Sequence, residues 1–216
     1  MGLLSQDRID SVRITRPGEI RRAAEALHAI AAECGMRAAP AHDIAAKRTP
    51  IDSDGSILAR DVFGWPETEN VWWRNSRIAL DSPITTACRF ESYPFWVSSE
   101  GFSSRLSNPY LDAIDLTDFE SRAMTRAAIV APVHLPFGQI GVVTFNPIDK
   151  NLTDLTDAYL EFGDAFGVYA RTFISTYVHV TGTTQGLPAE SRLSKREVEC
   201  LRWAAIGKTD LEISMI

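Results

Sequence analysis

The side chains most able to do chemistry, the cysteines and histidines, are few and scattered along the sequence. The three cysteines are odd in number and lack disulfide-framework or metal-ligand spacing: Cys34, Cys88 and Cys200. A free-thiol redox role and three inert thiols both remain open. The histidines form no cluster, so packed or solvated imidazoles explain them: His28, His42, His134 and His179. No glycine-rich phosphate loop, nucleophile elbow or paired-histidine motif is present, which disfavours an enzyme.

Composition is typical of a globular protein. The 216 residues carry 22 Lys and Arg against 28 Asp and Glu, a net charge of -6, and 45% are hydrophobic. At roughly 100–200 residues per domain, this length predicts one full domain and a small second one. No apolar run approaches the ~18–20 residues that span a bilayer, and residues 1–22 lack the apolar centre of a secretory signal. We therefore expect a cytoplasmic protein without a metal or a permanent cofactor.

The elements that would position a site begin with an amphipathic helix from Pro17 to a stop at Gly35. Its apolar stripe is Ile20, Ala23, Ala24, Leu27, Ile30 and Ala31. The pattern after it predicts, in order, a strand at 36–46, a loop at 47–55, a strand at 57–63, helices beginning at 66 and 82, and an irregular aromatic stretch at 93–102.

The second half of this domain carries clearer signals. A helix is predicted at 117–124, with Thr117 as N-cap and Glu120 as its capping-box partner. A hairpin follows at 128–134 and 140–145, and a long helix at 151–177 capped by Thr153 or Asp154. This order predicts an α+β fold, an α/β/α sandwich with a central antiparallel sheet.

Residues 181–190 are rich in Gly, Pro and Thr and are expected to form a linker. Beyond them, two short capped helices are predicted within 191–216. Ser194 with Glu197 and Thr209 with Glu212 have capping-box spacing, and Gly207 lies between the helices. Both a generic helical hairpin and a helix-turn-helix fit this pattern.

The string LSKREVECLRWAAIGKTDLEI at 193–213 resembles the opening of the LuxR-type helix-turn-helix. The resemblance implies a DNA-binding domain, with phosphate contacts from Lys208 and the Thr209 helix start, in a homodimer on paired half-sites. It also implies that the base-reading helix would begin after Ile216, so that 191–216 is a truncated domain. From Leu187 onward basic and acidic residues are equal in number, so charge adds no support for DNA binding.

Residues 60–147 resemble the autoinducer-binding domain of quorum-sensing LuxR-type regulators. Asp81 and Trp96 are fifteen residues apart, Trp96 ends the string YPFW, and the hairpin reads PVHLPFGQIGVVT at 132–144. The resemblance implies that residues 1–180 form a sensor for an acyl-homoserine lactone.

In that ligand, the resemblance implies that Asp81 accepts the amide N–H and that Thr144 contacts the amide carbonyl. Trp96 would form a wall beside the lactone ring, and Trp65 would occupy the position of a family tyrosine. A buried carboxylate suits the first role because charge-assisted hydrogen bonds are about twice as strong as neutral ones.

The sequence also departs from the family. Glu69 stands where the family has the tryptophan that donates to the lactone carbonyl, so Trp72 or Trp73 would have to supply that indole N–H. Ser82 follows Asp81 where the family has proline. An ordinary or variant acyl-homoserine lactone, another small ligand and no ligand all remain open. The rival functions are a ligand-independent regulator acting through protein contacts and an enzyme that processes acyl lactones.

Simpler roles fit the same residues. Asp81 can be a helix N-cap, Thr144 an ordinary strand residue, and the tryptophans core residues.

Overall fold

The computed structural model describes residues 3–66, 81–182, 194–205 and 207–215. The chain forms two compact units, Met1–Thr184 and Gln185–Ile216. Most of the predicted linker at 181–190 lies outside the described residues, so the domain limits stay a prediction. None of the described helices is long and apolar enough to cross a membrane.

The first unit is built on a five-stranded antiparallel sheet. Its strands are β1 (Met36–Ala41), β2 (Phe95–Ser98), β3 (Gly101–Ser104), β4 (Ala127–His134) and β5 (Ile140–Pro147). Their spatial order is β1-β5-β4-β2-β3, so β1 and β3 are the edges. The described helices of this unit are α1 (Gln6–Ser11), α2 (Ile20–Glu33), α3 (Leu58–Asp61), α4 (Pro83–Ala87), α5 (Pro109–Asp112), α6 (Phe119–Ala123) and α7 (Thr156–Thr181).

One face of the sheet is covered by α2 and α7. The buried residues of α2 are the stripe that its sequence predicts: Ile20, Ala23, Ala24, Leu27, Ile30 and Ala31. The long helix α7 buries a row of aromatic rings on the same core, and Phe166 stacks on Phe145 of β5 with ring centroids 3.9 Å apart. Gly141 of β5 permits close approach here, because a Cβ at this position would lie 2.6 Å from Ile174 Cγ2.

The opposite face is covered by the short helices α4, α5 and α6. They contribute Ile84, Leu111 and Phe119 to a second core that includes Phe95 and Val130 of the sheet. Helices on both faces of an antiparallel sheet confirm the α+β fold class expected from the sequence.

Two sequence-based element assignments are wrong. Residues 57–63 were expected to form a strand, but Leu58–Asp61 is a helical turn that buries Leu58 and Phe63. A short apolar run is compatible with a strand or with a helix. Here the helical turn is the structure that buries Leu58 and Phe63. The stretch 93–102 was expected to be irregular, but it contains β2 and the start of β3.

Two helix starts also differ from expectation. Asp118, at a φ of 52°, precedes α6 and makes no side-chain cap bond, so the capping box predicted from Thr117 is absent. The long helix begins at Thr156, whose N–H donates to Asp154 Oδ1 at 2.9 Å. The N-cap is therefore Leu155 and not Thr153 or Asp154, although the Asp154 carboxylate accepts a hydrogen bond from the first helical N–H.

The second unit contains α8 (Lys195–Ala205) and α9 (Asp210–Ser214). Both predicted capping boxes are present. Glu197 N–H donates to Ser194 Oγ at 3.3 Å while Ser194 N–H donates to Glu197 Oε2 at 2.6 Å, and Thr209 and Glu212 make the same reciprocal pair. Gly207 turns the chain with a φ of +87°. Leu201 of α8 is 56% exposed.

Candidate functional site

A cavity of about 340 Å³ lies on the sheet face that α4 and α6 cover, against the edge pair β1–β5. Its lining is mostly apolar, with a few hydroxyl, amide and charged groups. The sheet contributes Arg37, Ala39, Ala41, Val142, Thr144 and Asn146, and the helices contribute Ser82, Ile84, Thr85, Ala123 and Met124. Volumes of roughly 300–1,000 Å³ are usual for small-molecule sites.

Strands β1 and β5 form one wall of the cavity, and the register between them arranges the residues of this wall by polarity. Three cross-strand pairs face the cavity in succession, and they become steadily more polar: Ala41 with Val142, Ala39 with Thr144, and Arg37 with Asn146. At about 3.4 Å per residue, the wall runs about 14 Å from its apolar end to its cationic end. The cavity therefore matches a molecule with an apolar tail and a polar head.

Thr144 and Asn146 are the polar residues that β5 contributes to this wall. Asn146 is buried, and its Nδ2 donates to Thr144 Oγ1 at 3.0 Å. In the described part of the chain, no acceptor takes the Thr144 hydroxyl proton. Thr144 can therefore donate to a ligand carbonyl, which is the role that the family resemblance implies for it.

Trp65 also lines the cavity, at the free edge of β1. Its Nε1 donates to the carbonyl of Ala38 at 2.8 Å, which holds the half-buried indole along the strand. The guanidinium of Arg37 lies 5.4 Å from the centre of the indole ring, a cation–π contact. The Trp65 N–H is thus used within the protein, and the ring acts as a wall.

Asp81 is not brought into the cavity. The residue is exposed and does not line the cavity, whereas the following Ser82 is buried and does. Arg122 fixes this point of the chain, because its Nε donates to the Asp81 carbonyl at 3.0 Å while its Nη1 donates to the Thr117 carbonyl at 2.7 Å. The expected burial of the Asp81 carboxylate does not occur.

Trp96 lies on the opposite face of the sheet. Trp96 pairs with Ile129 and packs against the α2–α7 core, whereas its neighbour Phe95 pairs with Val130 on the cavity face. Val130 in turn pairs with Thr144. Because side chains alternate between faces along a strand, Trp96 and Thr144 cannot line one cavity. Trp96 Nε1 is buried and has no hydrogen-bond partner among the described residues.

The remaining tryptophans of the expected site, Trp72 and Trp73, lie outside the described residues, as does Glu69. Their roles stay predictions.

A second, wider groove of about 550 Å³ adjoins the cavity and shares five lining residues with it: Arg37, Trp65, Met124, Asn146 and Lys150. The groove adds Arg126, whose Nε lies 3.7 Å from the Glu120 carboxylate. Arg37, Asn146 and Lys150 were not expected in the site. The alternation of β1 and β5 was the available signal, since it places Arg37 on the face of Ala39, and Asn146 on that of Thr144.

The environments of Cys34, Cys88 and His42 do not favour reactive side chains. Burial raises the pKa of the Cys34 thiol to about 11 and raises that of Cys88 further, which disfavours a thiolate at neutral pH. Burial lowers the pKa of His42 to about 4. Among the described residues, no group of three or more His, Cys, Asp or Glu could hold a metal ion.

The two residues expected to contact DNA are exposed. Lys208 Nζ lies 3.1 Å from Glu212 Oε1, and Thr209 caps α9. Hydrogen bonds from the backbone and side chain of Thr209 and from Lys208 hold the pKa of Glu212 below its usual value. Lys208, which precedes α9, is thus paired with a carboxylate of that helix.

Comparisons with known proteins add little to these observations. No protein-family model matches the chain, and no curated protein matches it. Among solved structures, the crystal structure of Escherichia coli SdiA matches with a TM-score of 0.48 and 17% sequence identity, covering 96% of this chain and 79% of that chain.

Proposed function

We propose that the protein is a ligand-responsive transcription regulator of the LuxR quorum-sensing type. In this proposal residues 1–180 sense an acyl-homoserine lactone or a related small signal, and residues 191–216 belong to a DNA-binding helix-turn-helix. The observation that carries the proposal is the cavity, whose wall changes from apolar to polar over three pairs of residues.

The wall suits the chemistry of an acyl amide. An acyl tail would lie among Ala41, Val142 and Ile84. The Thr144 hydroxyl would donate to the amide carbonyl, and Asn146 Oδ1 would accept the amide N–H, since Asn146 Nδ2 is already bound to Thr144. This assigns to Asn146 the role that the family resemblance gave to Asp81.

The second unit supports the regulatory half of the proposal. Its helices begin at two reciprocal capping boxes, at the spacing seen in the LuxR-like string, and a glycine turn separates them. Ligand binding would stabilise the sensor and its homodimer, and so favour DNA binding at two-fold related half-sites.

Thermal unfolding of the full chain with a series of acyl-homoserine lactones tests the proposal. A ligand at 100 times its Kd stabilises a folded domain by about 2.7 kcal/mol, which for a sensor of this size raises Tm by roughly 5–10 °C. Thr144→Val should reduce the shift. Thr172→Val is the matched control, because Thr172 binds the Val168 carbonyl within α7 and does not line the cavity.

The proposal fails if no acyl compound stabilises the chain, or if both threonine variants reduce the shift equally. The exposure of Asp81 favours one alternative, a regulator that acts through protein contacts without a ligand. Stability indifferent to every acyl compound, together with sequence-specific DNA binding, would support that alternative.

A further inference from the structure

We infer that the preferred signal is an N-acyl amino acid, in which an apolar acyl tail is joined through an amide to a carboxylate head, and that Arg37 and Lys150 bind that carboxylate. The inference rests on the proposed sensor function and specifies the ligand class of the same cavity. It begins from the cations that line the junction between the cavity and the groove.

Charge at this junction is opposite in sign to that of the whole chain. The protein carries a net charge of -6, but the described residues that line the cavity and the groove include three cations and one carboxylate: Arg37, Lys150, Arg126 and Glu120. The Glu120 carboxylate is beside Arg126. Within the described chain, neither Arg37 nor Lys150 has a carboxylate within ion-pair distance.

The position of Arg37 is set by the fold. Its guanidinium rests over the Trp65 ring, and its Nη1 donates to the Gly64 carbonyl at 3.3 Å, which leaves most of its donors for a ligand. Arg37 is the cross-strand partner of Asn146, so a guanidinium and a buried amide lie side by side at the polar end of the wall. Guanidinium groups bind carboxylates through paired, charge-assisted hydrogen bonds.

The order of groups along the wall then matches one class of molecule. An apolar tail at Ala41 and Val142 is followed by a carbonyl at Thr144 and an anion at Arg37, within about 14 Å. A neutral lactone would fill the first two positions and leave the cations without a partner. An N-acyl amino acid, such as the ring-opened N-acyl-homoserine, would fill all three.

Isothermal titration calorimetry of the full chain with N-octanoyl-homoserine and N-octanoyl-homoserine lactone tests the inference. The acyl chain is the same, so the comparison isolates the head. We expect the carboxylate to bind at least about tenfold more tightly, with an affinity that falls as salt is added, because screening weakens exposed ionic contacts. The affinity of the lactone should change little with salt.

Arg37→Met and Lys150→Met should each reduce the affinity for the carboxylate while leaving that for the lactone within about twofold. Arg37→Lys keeps the charge but not the paired geometry, and should keep part of the preference. Arg89→Met is the control, since Arg89 is exposed, lies outside both linings and carries the same charge. Lys150 is exposed, so its variant stays informative if the Arg37 variants do not fold.

Equal or tighter binding of the lactone, or a carboxylate preference unchanged in the Lys150 variant and in every folded Arg37 variant, would overturn the inference and leave the sensor proposal standing. Binding of neither compound would overturn the inference, and the sensor proposal would fail with it if no acyl compound stabilised the chain.

Discussion

At the scale of single residues, the candidate site depends on side chains that already make part of their hydrogen bonds within the protein. The Trp65 N–H donates to the Ala38 carbonyl, and the Asn146 amide nitrogen donates to the Thr144 hydroxyl oxygen. The ring face of Trp65, the hydroxyl proton of Thr144 and the amide oxygen of Asn146 remain available to a ligand. Each contact within the protein therefore orients a group toward the cavity.

His42 is a residue-scale exception, because it is 4% exposed and neither ring nitrogen has a hydrogen-bond partner in the described structure. Its ring packs on Tyr177 with centroids 5.0 Å apart. Burial lowers its pKa from 6.5 to about 4, so the folded protein favours the neutral ring. The unfolded chain then binds a proton that the folded chain does not, and stability falls as pH drops from about 6.5 toward about 4.

We predict that His42→Phe removes this part of the pH dependence, at most about 3 kcal/mol over that interval. Phenylalanine keeps the ring contact with Tyr177 and removes both unpaired nitrogens. Urea unfolding at neutral and acidic pH measures the difference. The control, His179→Gln at an exposed position of α7, should keep the wild-type slope. Identical slopes in wild type and His42→Phe would contradict the prediction.

At the scale of elements, the cavity depends on how closely α7 and β1 approach β5. Gly141 allows a close approach of both, since an added Cβ would lie 2.6 Å from Ile174 Cγ2 and 3.1 Å from the Ala41 carbonyl oxygen. Ala41 is the apolar end of the cavity wall. Helix packing on one face of the sheet is thereby coupled to the shape of the site on the other.

Gly141→Ala should therefore destabilise the first unit by about 1–3 kcal/mol, the usual cost of overpacking a core. The free energy of unfolding in urea measures this effect. Gly18→Ala is the matched control, because a Cβ at Gly18 meets no atom within 4 Å, and it should be close to neutral. Equal stability of the two variants would show that β5 and α7 adjust without cost.

At the scale of the whole molecule, the two units differ in how much they bury. Met1–Thr184 contains two clusters of buried side chains, whereas no described residue of Gln185–Ile216 is buried. Capping boxes stabilise the helices of the second unit locally, but few apolar contacts support them. The free energy of unfolding should therefore be much larger for the first unit than for the second.

Hydrogen exchange in the full chain should show this difference directly. Amides of α8 and α9 should be far less protected from exchange than amides of β4 and α7, because local opening costs little free energy where few apolar contacts are lost. A sensor ligand should raise protection around β1 and β5. Protection of α8 equal to that of β4 would contradict the prediction.

Local features of this protein could be predicted from its sequence because the interactions behind them are close in sequence. The buried stripe of α2, the β4–β5 hairpin and the two capping boxes of the second unit all depend on residues within a few positions of one another, and the structure contains each of them. The α+β fold class followed from the order of such elements.

The composition of the site was decided by tertiary structure. The family resemblance placed Asp81 and Trp96 together with Thr144, but Trp96 lies on the other face of the sheet and Asp81 is exposed. Arg37 and Asn146, far apart in sequence, became neighbours only when β1 paired with β5. Alternation within a strand tells which residues share a face, but register and packing between strands decide which face meets the cavity.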